Sequence, residues 1–242
     1  MPLRSAVLDL PPPYTLVVPD GHIDAFAHAQ AIAADHGAGT LVWSRRPDLV
    51  AFAVVLEPEE ALLAARCAIY PCMTALADAV SAACPPEKAV AFEWPVTLRF
   101  DGARIGGGRL AWPAACAEDA VPDWLVFGGM LMVDTLDPAA PGHTPDATSL
   151  AEEGFDTEPG SMVESFARHL MSGFETWRER GFKAVARTYL ERLPGDDASL
   201  RRGLDVNGDL LVDSPAGLVR TPLLDALALP AWYDPESRMP CL

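Results

Sequence analysis

No stretch of this sequence is rich in lysine and arginine; its densest basic clusters are the pairs Arg45-Arg46 and Arg201-Arg202. With 34 acidic against 18 basic side chains, a formal net charge of -16, the surface field repels a phosphate backbone, which excludes nucleic acid as the main partner. A small anion is not excluded, because a local pocket field can oppose the global one. Cys67, Cys72, Cys84, Cys116 and Cys241 lack the close paired spacing of a zinc or iron–sulfur site. Their odd number argues against a complete disulfide scaffold, so they read as small core residues in a reducing compartment. No continuous apolar run is long enough to cross a bilayer, and the opening MPLRSAVLDLPPPYTLVV has neither the hydrophobic segment nor the cleavage pattern of a signal peptide. The expectation is a cytoplasmic protein with no membrane partner. The chain also lacks a Gly-x-Ser-x-Gly elbow and a His-x-x-x-His pair, and Asp205, Asn207 and Asp209 are not followed by the glutamate of a calcium loop, so no metal site is predicted.

What is present suffices for a substantial core. The 242 residues are 50% hydrophobic, mostly Ala, Leu and Val, and 23 prolines divide them into many short elements. YTLVVP predicts a short strand, and DAFAHAQAIAADHG a helix capped by Asp24 and stopped by Gly37. GTLVWSRR and LVAFAVVLEP predict two strands joined by a turn at Arg45, Arg46 and Pro47. From Pro58 to Cys84 the pattern is helical, with Glu59 and Glu60 suited to its first turn and Pro71 expected to kink or divide it. Asp101-Gly102 marks a hairpin, and DWLVFGGMLMVD a strand interrupted where Gly128-Gly129 allows close approach or a bend. Thr135 to Asp146 reads as a loop. Val163, Phe166, Leu170, Phe174 and Trp177 fall at three- and four-residue intervals, the clearest amphipathic helix, and FKAVARTYLERL adds another after Gly181. After PGDDASL, a plausible boundary, the period becomes strand-like, with turns at Asn207-Gly208 and in DSPAG. The order predicts an α+β fold: a mixed sheet with packed helices over residues 1–195 and a small β-rich domain over 196–242.

Chemistry concentrates in FEWPVTLRFDGARIGGGRL. Gly106, Gly107 and Gly108 would let backbone N–H groups approach an anion, with Arg104 or Arg109 offering a charged fork; the same glycines also suit a purely structural hairpin. The stretch has neither Walker A spacing nor a Rossmann fingerprint. Arg45 and Arg46 could meet the same ligand or form surface ion pairs, and Trp94 could stack on a planar ligand or pack in the core.

Several phrases, in order, resemble the catalytic module of biotin- and lipoate-protein ligases. EWPVTLRFDGARIGG resembles the family's Lys-Trp-Pro-Asn-Asp stretch followed by Gly-Arg-Lys-x-x-Gly, WLVFGGMLM its strand leading to Gly-Ile-Asn, TSLAEEGF its Ser/Thr-Leu-x-x-x-Gly segment, and GLDVNGDLLV the start of its small C-terminal domain. The resemblance covers roughly Tyr14 to Leu224. It implies a mixed sheet with helices on one face and a fatty-acid-like carboxylate, such as biotin, lipoate or octanoate, in an apolar channel. It also implies ATP and Mg2+ to form an acyl-adenylate, and a lysine on a carrier domain to receive the acyl group. On that resemblance Arg104 falls at the family's central lysine and is the candidate catalytic residue; Arg45, Arg46, Trp94, Gly106, Gly107, Gly108 and Arg109 are the candidate substrate- or nucleotide-binding residues. Glu93 takes the place of the lysine before Trp-Pro, Val96 and Thr97 replace Asn-Asp, and the loop after the second strand keeps Arg45 and Arg46 without the family's glycines. The resemblance therefore carries two readings, an acyl-transferring ligase and a noncatalytic module that binds the ligand or its carrier.

Overall fold

The computed structural model describes residues 8–21, 23–85, 88–134, 146–195, 200–228 and 230–240. The Thr135–Asp146 loop and the PGDDASL boundary fall mostly outside these residues.

β1 (Thr15–Val17), α1 (Ala25–His36) and β2 (Thr40–Ser44) form a parallel crossover unit, the only parallel pairing between described strands. Asp24 caps α1 as its composition predicts: its Oδ1 accepts from Phe26 N (2.9 Å) and Ala27 N (3.3 Å), and Gly37 ends the helix at φ 74°. β3 (Leu49–Leu56) pairs antiparallel with β2 across the Arg45–Arg46–Pro47 turn. α2 (Leu62–Ala65), a 3₁₀ turn (Arg66–Ala68) and α3 (Ile69–Ala83) follow. The helical run divides one turn before Pro71, which then occupies the first turn of α3, where a backbone donor is not needed. Glu59 and Glu60 lie ahead of α2 rather than in its first turn. The orphan N–H groups of Leu62 and Leu63 instead bond to Ala120 O (2.8 Å) and Glu118 O (3.0 Å), a tertiary cap with no local signature.

β4 (Val90–Glu93) passes through a cis Trp94–Pro95 peptide into β5 (Thr97–Phe100), and β6 (Ala103–Ala111) follows the predicted hairpin, with Asp101 at φ 49° and Gly102 at φ 88°. β7 (Leu125–Met132) inserts between β3 and β6, giving the order β1-β2-β3-β7-β6-β5-β4. It is one unbroken strand. Gly128 and Gly129 do not interrupt it but admit Phe26 on one face and Phe52 on the other, where a Cβ would lie within 2.6 Å of each ring.

α4 (Pro159–Arg180) and α5 (Phe182–Leu190) complete the body, and α4 presents Val163, Phe166 and Leu170 inward as their spacing predicts. Helices cover both faces of the sheet, not one. Val50, Phe52 and Val54 of β3 pack in the larger core with α3 and α4, while Ala53 and Val55 pack against Ala25, Ala29 and Ala33 of α1. The helical run Leu62–Ala83, with a mean hydropathy of 1.2 over an 18-residue window, has the length and composition of a membrane span, although Arg66 and Asp78 interrupt its apolar residues. Here 83% of that window is buried, and α3 serves as a central core helix.

The C-terminal part has β8 (Arg201–Leu204), β9 (Leu210–Ser214) and β10 (Gly217–Thr221) in a three-stranded sheet, then α6 (Leu223–Ala228) and the two short strands β11 (Tyr233–Asp234) and β12 (Met239–Pro240). It is tied to the body at Tyr70, whose hydroxyl donates to Gly208 O and accepts from Trp94 Nε1 (3.2 Å). Beyond α6 the chain returns to the main sheet, where Trp232 is 1% exposed.

Candidate functional site

The β5–β6 hairpin sets two arginines beside Glu93 at the end of β4. Glu93 accepts from Arg104 Nη2 (3.0 Å) and Nε (3.1 Å), and from Arg99 Nη2 (2.6 Å) and Nε (3.0 Å). The Arg104 backbone is fixed as well, donating to Asp146 O (2.8 Å) and accepting from Thr148 N (2.8 Å). Glu93 thus holds two forks of its own chain. Partial burial pushes its carboxyl up, but hydrogen bonds and charge from Arg104 and Arg99 outweigh this and hold it below the usual glutamate range. A depressed carboxyl contributes stability above its unfolded value and loses it as pH falls through the folded one. The stability difference between the protein and Glu93→Gln is therefore expected to be greatest near neutrality and to close from about pH 4.5 downward. Urea midpoints at pH 7 and pH 3 check this; a difference persisting at pH 3 would mean that the ion pairs are not its source.

Arg45 and Arg46 lie at the same end of the sheet, because Leu49 pairs with Met132, Gly106 pairs with Leu131, and Val133 N donates to Asp48 O (2.9 Å). From β2 to β6 is three strand spacings, about 14 Å. Arg46 is bound to Asp48 through Nε (3.0 Å) and a second ion-pair contact, and Arg45 lies 5.6 Å from the Trp43 ring centre. Among the described residues the structure does not bring these two side chains together with Arg104; they form separate clusters along one edge.

Gly106, Gly107 and Gly108 do form a close-approach wall, but the chain itself fills it. A Cβ on Gly107 would lie 2.1 Å from Val96 O and 2.5 Å from Trp232 Nε1; one on Gly108, facing the opposite side, would lie 2.6 Å from Met73 and Phe127. The Trp232 indole N–H donates to Gly108 O (3.2 Å). Next along β6, the Arg109 guanidinium is held between the rings of Phe26 (4.3 Å) and Tyr233 (3.9 Å) and pairs with Asp24 (3.3 Å). A cavity of about 10 Å³, lined in part by Asp24, Phe26, Arg109 and Gly128, opens beside it. Trp94 is engaged elsewhere: its indole bonds to Tyr70, and the adjoining Pro95 carbonyl accepts from Tyr189 (2.9 Å).

Two more features complete the chemistry. Burial pushes the Cys67 thiol up to about 12 and that of Cys72 well above its ordinary range, so neither is a thiolate at neutral pH. Among the described residues no three His, Cys, Asp or Glu side chains gather as a metal site. The partners of the proposed residues, Asp24, Phe26, Trp232 and Tyr233, were not legible as site residues. The one signal was an aromatic pair, Trp232-Tyr233, in an otherwise proline-bounded tail. An ATP–Mg2+ phosphate clamp does not fit the described arginines, since Arg99 and Arg104 share Glu93, Arg46 is paired with Asp48 and Arg109 with Asp24.

A sequence model described as the biotin/lipoate A/B protein ligase family matches residues 10–191. A biotin–[acetyl-CoA-carboxylase] ligase from Paracoccus denitrificans is 26% identical over 182 residues, covering 68% of this chain and 73% of that protein. The crystal structure of a biotin protein ligase-like protein of unknown function from Silicibacter sp. superposes with a TM-score of 0.77 at 29% identity, covering 90% of this chain and 98% of the other. The apo biotin protein ligase of Aquifex aeolicus shares the fold, with a TM-score of 0.68 at 15% identity over 86% of this chain and 96% of that one.

Proposed function

Because this chain belongs to the biotin/lipoate A/B protein ligase family, we propose that it binds an acyl carboxylate of the biotin, lipoate or octanoate class on the sheet face at Gly107 and Arg109, without forming the acyl-adenylate itself. One observation carries this reading. The bare backbone of Gly107, with the Gly108 carbonyl as acceptor, already seats a flat N–H-bearing ring, the Trp232 indole, directly beside a caged guanidinium. A ligand's apolar body would take the place of the indole, and its carboxylate would reach Arg109 in competition with Asp24. Phe26 would remain as the opposite wall of the guanidinium cage. Adenylation requires positive charge that is free to follow pyrophosphate departure. Glu93 already engages Arg99 and Arg104, which argues against that step. We also propose a cytoplasmic location, where the buried thiols of Cys67 and Cys72 stay reduced.

A second reading, acyl transfer to a carrier-domain lysine with ATP and Mg2+, is favoured by Arg104 Nη1, which makes no hydrogen bond among the described residues and could still face a developing oxyanion. The two readings separate in one pair of measurements. Calorimetry with biotin, lipoate and octanoate is expected to show saturable binding that Arg109→Ala abolishes and Arg104→Ala leaves within about threefold. Pyrophosphate release with ATP and the same acids is expected to stay at background. Acid-dependent release that Arg104→Ala abolishes would establish the ligase reading instead, and an absence of binding by all three acids would end both carboxylate readings.

A further inference from the structure

A larger cavity, about 560 Å³, opens at the Leu56 end of β3. Its floor includes Val54 of β3 and Leu125 of β7, and one wall is the Leu170, Phe174 and Trp177 face of α4. Because β3 runs from the Arg46–Asp48 turn at Leu49 and reaches the cavity at Val54, the cavity and the arginine edge are about 17 Å apart along the strand; Arg109, level with Gly128 and Ala53, is separated from it by two strand spacings, about 10 Å. The volume falls within the range of small-molecule sites. Phe174 and Trp177 stack at 6.2 Å and 18°, yet both stay only half-buried, so aromatic faces are presented to the space rather than consumed by the core.

The charges at its mouth have one sign in excess. Glu57, Glu59, Glu60 and Glu175 line it against one cation, Arg178. Arg178 is bound to Glu175 (2.5 Å), and Glu57 accepts from Ala38 N (3.2 Å). Glu59 and Glu60 are exposed and make no hydrogen bond or ion pair among the described residues. An apolar chamber with aromatic walls and two uncompensated carboxylates at its opening favours a cation with a hydrophobic body, through burial, cation–π contact and local field together. The same field repels a fatty carboxylate.

We infer that this groove is a second binding site, for a small amphiphile whose aliphatic or aromatic body ends in an ammonium group. It is independent of the carboxylate face at Gly107, and its charge keeps the two ligand classes apart.

Octylammonium, octanol and octanoate differ in the head group at fixed chain length, and the amine is fully ionised at pH 7, as a lysine side chain is. Titrated into the full chain and followed by calorimetry and by the methyl resonance of Met171, a groove residue 40% exposed, octylammonium is expected to bind at one site. It should bind at least about tenfold more tightly than octanol, and more weakly as salt is added. Octanoate is expected to leave the Met171 resonance unmoved, whatever it does elsewhere. Glu59→Gln with Glu60→Gln, both at exposed positions, should weaken octylammonium about fivefold or more without altering the melting temperature. Met171→Lys should suppress octylammonium and admit octanoate. Equal affinity for octanol and octylammonium, an affinity indifferent to the double glutamine variant, or a Met171 resonance unchanged at saturation would each overturn the proposal.

Discussion

Replacing Trp232 with alanine is expected to lower stability by about 3–5 kcal/mol, the range for emptying a buried large aromatic position, and to tighten binding of the acyl carboxylate at the same time. The indole is almost wholly buried, covers Gly107 and donates to Gly108 O, so truncation leaves a void against bare backbone. Loss of apolar contact supplies most of the cost, and the missing hydrogen bond adds about 1 kcal/mol. Affinity moves the other way, because a ligand that needs the glycine wall binds only the fraction of molecules from which Trp232 has withdrawn, and removing the competitor makes that fraction unity. Urea denaturation reads the first effect and calorimetry with octanoate the second. Trp232→Phe separates the contributions: a ring is kept, the donor is lost, and the stability loss should fall to between about 1 and 2 kcal/mol. If Trp232→Ala loses stability but binds octanoate no better than the parent, the indole is a structural plug and not an occupant of the ligand's place.

Gly106→Ala is the second large effect, expected to cost on the order of 3 kcal/mol or more, or to prevent folding outright. Gly106 sits at φ 143°, a region that side chains rarely adopt, and its Cβ would fall 2.0 Å from Met130 O and 2.9 Å from Leu131 Cα. Both atoms belong to the backbone of β7, held between β3 and β6, so the clash cannot be relieved by rotating a side chain. Gly102→Ala is the control. Gly102 also has a positive φ, 88°, but its Cβ would meet nothing within 4 Å, so only the conformational penalty, about 1–2 kcal/mol, should appear. Comparable losses in the two variants, measured by urea denaturation, would show that the contact with β7 is less rigid than its position implies.

The local signals of this chain were strong. Asp24 and Gly37 bound α1 because a carboxylate oxygen and a residue free at positive φ are what helix ends need. Asp101-Gly102 made its hairpin for the same kind of reason, both residues tolerating the left-handed region. The intervals of α4 put its apolar stripe on the core. Signals that depend on partners misled. Gly128-Gly129 suggested an interruption by close approach or a bend; the close approach is there and the interruption is not, since a glycine pair in a strand looks the same whether the chain bends or a phenylalanine from elsewhere presses on each face. Glu59 and Glu60 suggested a helix start, because the donors' true partners, Glu118 O and Ala120 O, lie some sixty residues away.

The candidate site divides along the same line. That four arginines and three glycines gather near one hairpin and one turn could be read from the chain, and so could the family resemblance carried by Trp94-Pro95 and the segments after it. Which carboxylate each arginine would meet could not. Glu93 is eleven residues from Arg104, Asp48 two from Arg46 and Asp24 eighty-five from Arg109, and only the sheet order and register decide which of these become ion pairs. The return of Trp232 and Tyr233 to β6 is a contact across more than a hundred residues, accompanied by the packing of the C-terminal part against Tyr70 and Cys67. Caps, turns and amphipathic stripes are properties of neighbours in the chain, and the sequence by itself determined them. Whether charge stays open to a ligand or is cancelled within the protein depends on distances between separate strands, and that only the tertiary structure decided.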